Sequence, residues 1–277
     1  MDNQLVSKRY LVITFIFSLL AVLIIFVRTN LDRTTKVVFC DVGQGDAIYL
    51  RIKNQVDVLI DAGPDRKILD CLGRHMPFFD KKIELAIISH PDKDHIGGFL
   101  PVTDHYRLNL IYSIPVSEPT LTFSQLLTKI KKNKITVFQP FAGYQIRILN
   151  DFFTFYWPPK NIRLDTNDLS LIFLFQEKDF KILFTGDISL PILERVLKQS
   201  KIKTTILKIP HHGSKYNLSK TVLLLADPTM AVISCGKKNP YGHPAQEVLA
   251  MLKAAKIKVR RTDKEGDIIF KINPNVK

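Results

Sequence analysis

Four side chains that bind divalent cations, His90, Asp92, Asp94 and His95, fall within the stretch SHPDKDHIGG, Ser89–Gly98. Two imidazoles and two carboxylates suit a borderline or hard ion such as zinc or manganese. A chance polar loop often places a histidine beside an aspartate, but it rarely offers four donors at this spacing. The apolar run Leu85–Ile88 just before them has no polar face, the pattern of a strand buried on both sides. The donors then lie on the loop at that strand's carboxyl end, with a helix starting near Gly97. A loop backbone keeps no regular period and is free to converge them on one point.

Asp187, the pair His211-His212 and His243 recur in the same setting, each just after an apolar, strand-like run. Singly, each has a plainer reading. Asp187 fits as the cap of the helix that follows, the histidine pair as a strand end satisfied by backbone, and His243 as a neighbour of the last long helix. Together they put five of the seven histidines at strand ends. Strand ends meeting on one rim would join these donors to His90–His95 and complete two adjacent metal sites. Asp187 is the natural bridge, because its two oxygens can bind two cations. His75 and His105 lack that setting and read as surface or packing residues.

The elements that must hold these groups follow from the same patterning. Strands are expected at 36–42, 47–52, 57–61, 85–88, 108–114, 168–175, 181–187, 205–209, 231–234, 257–261 and 267–272, with several more between 135 and 156. Helices are expected at 66–75, 124–132, 190–199, 219–226 and 245–255. Strands outnumber helices and alternate with them, which fits an α/β (α+β) architecture of sheet layers covered by helices. At 277 residues, with 46% hydrophobic and 24% charged residues, the chain can bury a substantial core. No repeat or linker divides it, so residues 34–277 read as a single domain. Residues 1–30 read as a tail with a membrane anchor, because Tyr10–Val27 is apolar apart from Thr14 and Ser18. About 18 residues is near the lower limit for crossing a bilayer, and no Ala-x-Ala-like site follows, which favours an uncleaved anchor over a signal peptide. Basic residues flank the run on both sides, so charge alone does not orient it. The odd, widely spaced Cys40, Cys71 and Cys235 read as buried thiols.

The order HPDKDHIGG, TGD, PHHGS and YGHP, with DVGQGD and LIDAG upstream, resembles the metallo-β-lactamase superfamily. More narrowly it is similar to the carboxyl-terminal hydrolase domain of ComEC-like DNA-uptake proteins, over about Thr35–Ile272. The resemblance implies a four-layer αββα sandwich with two divalent metal ions, zinc or manganese, along one edge. Carried over residue by residue, it implies His90, Asp94 and His95 as metal ligands, Asp187 as the bridging carboxylate and His211 or His212 as the final histidine; the expected metal set is His90, Asp92, Asp94, His95, Asp187 and His211. Two departures matter. Asp92 stands where the common pattern has a second histidine, which hardens the first site toward manganese. No histidine lies between His105 and His211, so the usual mid-chain ligand is missing; either that metal has fewer protein ligands, or Asn167, Asp168 or His212 compensates. The large membrane channel of full DNA-uptake proteins is also missing, so transport itself does not carry over.

The chemistry expected is hydrolysis by a metal-activated water, with Asp92 or Asp94 orienting the nucleophile and His243 donating a proton or holding phosphate. His212, Ser214, Lys215 and Asn167 are expected to touch substrate. The formal net charge of +14 points to a polyanion. Basic residues crowd Arg195–Arg261, around both histidine loops, where a nucleic-acid backbone would need them. The expected protein is a membrane-bound nuclease or phosphodiesterase acting on DNA from the extracytoplasmic side, with a competence-type channel protein as a possible partner. The alternatives are a hydrolase of another ester, thioester or lactam, and a non-catalytic DNA-binding or competence-assembly subunit.

Overall fold

The computed structural model describes residues 2–116, 119–160 and 167–273; within the first helix it describes the side chains of 9–24. One sheet contains β1 (Thr35–Phe39), β2 (Ala47–Ile52), β3 (Val56–Ala62), β4 (Lys82–Ile88), β5 (Arg107–Ser113), β6 (Thr136–Phe138) and β14 (Ile268–Ile272). Its order is β14-β1-β2-β3-β4-β5-β6. The other contains β7 (Gln145–Ile148), β8 (Asp151–Trp157), β9 (Ile172–Glu177), β10 (Phe180–Phe184), β11 (Ile206–Lys208), β12 (Met230–Ile233) and β13 (Lys258–Arg261), in the reverse order β13 to β7. Each sheet is mixed: β3 to β6 and β10 to β13 run parallel, and the remaining pairs are antiparallel.

Between the sheets lies an aromatic-rich core that includes Phe39, Phe153, Phe155, Phe173, Phe175 and Phe184. Alternate residues of the same strands face outward onto helices. Tyr49, Leu59 and Ala86 pack with residues of α2 (Lys67–His75), α4 (Phe99–His105) and α5 (Leu121–Lys132). Leu183, Leu207 and Ala231 pack with α6 (Leu190–Ser200), α7 (Lys220–Ala226) and α8 (Gln246–Ala254). Burial on both faces explains why these strands read as unbroken apolar runs.

The strand expected at 168–175 begins later. Asn167–Leu169 forms a 3-10 turn, and β9 starts at Ile172. Asp94 and His95 also leave the expected loop, for they lie on the short helix α3 (Lys93–Ile96). A further short helix, α9 (Thr262–Glu265), joins β13 to β14.

The membrane-spanning expectation is not met. Helix α1 (Asp2–Leu31) precedes β1, but among the described residues no helix is long and apolar enough to cross a membrane. Apolar side chains from Tyr10 to Ile24 are exposed along α1.

The cysteine reading is overturned as well. Cys40, just after β1, and Cys71, on α2, form a disulfide with Cα atoms 5.9 Å apart; only Cys235 is free. A separation of 31 residues hid the pairing, which arises because α2 packs across the end of β1. Closing a loop of that size is expected to contribute about 3–4 kcal/mol. Cys71→Ser should lower the urea unfolding free energy by that amount, and a reductant should destabilise the parent protein but not the variant.

Candidate metal centre

Parallel strands in both sheets carry their carboxyl ends to one rim, where loops deliver polar groups from distant parts of the chain. His90 and His95 follow β4, Asp187 follows β10, and His211 and His212 follow β11. Nε2 of His95 lies 3.4 Å from Asp187 Oδ1, and Nε2 of His212 lies 3.5 Å from Asp187 Oδ2. Nε2 of His211 and of His90 stand 3.8 and 4.0 Å from Asp187 Oδ2. Asp187 is therefore the hub, and it is almost wholly buried. Asp94, His95, Asp187 and His212 form one compact group, each offering a ligand atom within 4.8 Å of the others.

The backbone accepts strain to build this rim. His211 (φ 49°) and His212 (φ 54°) are both left-handed, a conformation costing non-glycine residues of order 1 kcal/mol each. Gly45 meets a tighter demand, because a Cβ there would sit 2.1 Å from the carbonyl oxygen of Asp94. That close approach locks the DVGQGD turn against α3.

Behind these groups lies a layer that the sequence reading did not assign. Asp61 accepts from the backbone N–H of Ser89 (2.8 Å) and from its hydroxyl (2.6 Å), and its Oδ2 is 2.8 Å from His95 Nδ1. The carboxylate thus fixes which imidazole nitrogen faces Asp187, as outer partners of metal-binding histidines do. His212 is fixed likewise: its Nδ1–H donates to the carbonyl of Ser234 (3.0 Å), leaving Nε2 for Asp94 and Asp187. Asp46, fully buried, pairs with Lys208, which is also buried and lies 3.9 Å from Asp187. Two signals in the sequence pointed here. Asp46 ends the DVGQGD turn, Asp61 stands near the end of an apolar strand, and Lys208 is a lone charge in the apolar run TILKIP; a buried lysine needs a paired carboxylate.

Electrostatics follow from that crowding. Burial would raise the carboxyl of Asp187, but His212, His95 and His90 together hold it well below the usual range. Burial would lower His95, yet Asp187 and Asp61 hold it well above its ordinary value. His212 is similarly opposed by burial but is raised to about 9 by Asp187 and Asp46. His211 shifts down, mainly through burial.

The donor set fits a divalent cation. His90 Nε2, His95 Nε2 and Asp187 Oδ1 are buried and have no hydrogen-bond partner among the described residues, a costly arrangement unless something binds them. Asp61→Asn keeps the shape but weakens the acceptor behind His95, and metal affinity is expected to fall 10–100-fold by calorimetric titration.

Other expected residues sit at the rim or beyond it. Asp92 is 3.6 Å from His90 Nε2 and 40% exposed. His243 lies 5.8 Å from the ring of His211, held by hydrogen bonds from its loop to Asn239. Asn167 contributes a backbone acceptor to Ser170, whose hydroxyl accepts from the N–H of Asp187. Ser214 is buried and accepts from the N–H of Tyr216, while Lys215 lies over the exposed Tyr216 ring. The basic run does not stay together. Lys215, Lys237 and Lys238 belong to the rim loops, whereas Lys201, Lys203, Lys256 and Lys258 lie at the starts of β11 and β13, the far end.

The chain belongs to the metallo-beta-lactamase superfamily, whose sequence model matches residues 40–237. Among curated relatives, "ComE operon protein 3" of Bacillus subtilis (strain 168) is 28% identical over 91% of this chain and 35% of its own length. "Competence protein ComA" of Neisseria gonorrhoeae is 25% identical over 86% of this chain and 32% of its own. The chain thus spans about a third of the length of these relatives, which are of the ComEC-like kind. A solved structure of the metallo-beta-lactamase fold protein YhfI from Bacillus subtilis shares the fold, with a TM-score of 0.61 at 12% identity, covering 87% of this chain and all of that one.

Proposed function

We propose that residues 34–277 form a metal-dependent phosphodiesterase that cleaves DNA with two divalent ions, zinc or manganese. The observation that carries this is the set of buried, unpartnered nitrogens and oxygen pointing at one another around Asp187. Asp94, His95 and His212 would hold one ion. His90, Asp92 and His211 would hold the other, and Asp187 would bridge them. His211, rather than Asn167 or Asp168, then takes the place of the missing mid-chain histidine. When bound, such ions lower the pKa of a water and neutralise phosphate oxygens.

The protein's own residues do the rest. Asp61 and the Ser234 carbonyl hold imidazoles in one tautomer. Asp92 and Asp94, both partly exposed, are placed to accept a proton from the attacking water. His243 is lowered by burial and by the neighbouring His211, so its neutral ring offers one N–H to the phosphate or the leaving oxygen. Lys215, Lys237 and Lys238 supply the cationic rim that a DNA backbone needs, and relatives named for competence support DNA as substrate. A competence-type channel protein is the proposed partner. The disulfide supports a place outside the reducing cytoplasm, on the extracytoplasmic face of the cell membrane.

The test is hydrolysis of single- and double-stranded DNA, with a thioester and a lactam alongside, in zinc and in manganese. Metal-dependent DNA cleavage, lost on chelation, is expected. Turnover of the thioester or lactam without DNA cleavage would overturn the substrate class, and a purified protein that binds DNA but no metal would overturn the chemistry.

A further inference from the structure

Phe78 and Phe79 are 82% and 92% exposed, at the tip of a tight turn between α2 and β4 closed by a bond from Asp80 N–H to the Pro77 carbonyl. Two adjacent phenylalanines this bare have no account in a soluble fold, where large apolar side chains in contact with water mark a binding surface. Their rings meet edge to face, at 84° and 5.0 Å, so they form a convex apolar knob rather than a flat platform.

The knob's surroundings are cationic. Lys81 and Lys82 follow it directly and are exposed; Arg107 pairs in register with Lys82, and Lys134 borders the same open depression. The nearby carboxylates are already engaged: Asp80 with Arg51, Glu84 with Lys82, and Asp104 with Lys129. Lys201, Lys203, Lys256 and Lys258 lie at this same end of the second sheet.

The chain also enters here. Arg51, which holds Asp80 beside the knob, pairs with Lys36 at the start of β1, just after α1 with its exposed apolar side chains. The metal-ligand rim lies at the opposite end. Lys82 opens β4 and His90 lies eight positions further along, just past its end, roughly 26 Å away at about 3.3 Å per residue.

We propose that this end of the sandwich docks on an anionic lipid surface, with Phe78 and Phe79 inserted at the headgroup boundary and the surrounding lysines on lipid phosphates. A convex aromatic tip within a cationic field is the composition that binds such interfaces. Nucleic acid fits less well, because stacking needs an open ring face along a groove, and a strand held here would sit far from the ligands. Docking by this end leaves the metal-ligand rim facing away from the bilayer, open to a long polymer.

The test is Phe78→Trp in the full chain, whose natural Trp157 is buried and serves as a constant background. Vesicles of phosphatidylglycerol and phosphatidylcholine should shift the introduced indole's emission to the blue, and brominated acyl chains should quench it; vesicles of phosphatidylcholine alone should do neither. Adding Lys81→Gln and Lys82→Gln should raise the lipid concentration for half-maximal shift by about thirtyfold, from about 1 kcal/mol per basic residue near the surface. Phe79→Trp repeats the measurement from the neighbouring position. If the protein sediments with anionic vesicles through α1 while both indoles stay unshifted and unquenched, the proposal is wrong. An indole shift with single-stranded DNA and none with lipid would reassign the knob to nucleic acid.

Discussion

Asp187→Ala is expected to reduce metal-dependent hydrolysis by at least about a thousandfold, equivalent to about 4 kcal/mol of transition-state stabilisation. The size follows from position. Four imidazoles, those of His90, His95, His211 and His212, approach this carboxylate within 4.0 Å. No other carboxylate among the described residues has that reach. Removing it takes away the bridge between the two halves of the cradle, so metal stoichiometry should fall together with rate. The fold should survive, because without Asp187 the histidines lose the charge that favours their protonated forms and can rest neutral. Circular dichroism and metal analysis on the same sample separate loss of the centre from loss of structure. A variant that still binds two ions and cleaves at near-parental rate would show that Asp187 merely caps α6.

Lys208→Met should produce the largest loss of stability of any single change near the rim, about 3–5 kcal/mol. Lys208 and Asp46 are each about 1% exposed and paired, and the lysine also donates to the Gly186 carbonyl at 3.3 Å. Burial would lower its pKa, but Asp46 and Asp187 raise it, so it remains charged. Without it, Asp46 is a buried carboxylate close to Asp187 with only imidazoles for compensation. Adding Asp46→Asn to Lys208→Met should restore a large share of the loss, and the double-mutant cycle in urea gives the coupling directly. A cost below about 1 kcal/mol for Lys208→Met would mean that the pair does not hold the turn at Asp46 in place.

Much of this was legible in the chain. The runs at 85–88 and 205–209 announce strands buried on both faces because every residue in them must avoid water. Polar groups clustered at the ends of such strands are conspicuous, and the structure brings His90, His95 and the histidine pair within 4.0 Å of the Asp187 carboxylate. What periodicity does not carry is three-dimensional adjacency. Nothing in the spacing of Cys40 and Cys71 says that α2 crosses the end of β1. Which of two neighbouring histidines turns inward depends on left-handed backbone at both, and on whether the Ser234 carbonyl, 22 residues away, lies beside one of them. Lys198 to Arg260 look continuous as text, yet parallel strands carry alternate loops to opposite ends of the sandwich and split those charges between two faces. The apolar run at 10–27 carries the expectation of a span on composition alone, and among the described residues no helix is long and apolar enough to cross a membrane.

Anomalous diffraction from crystals grown with manganese tests the metal centre most directly. Two peaks about 3.5–4 Å apart, one beside Asp94, His95 and His212 and the other beside His90 and His211, with Asp187 touching both, are the predicted result. Crystals that show no peak within ligand distance of Asp187, under conditions where the protein cleaves DNA, would contradict it.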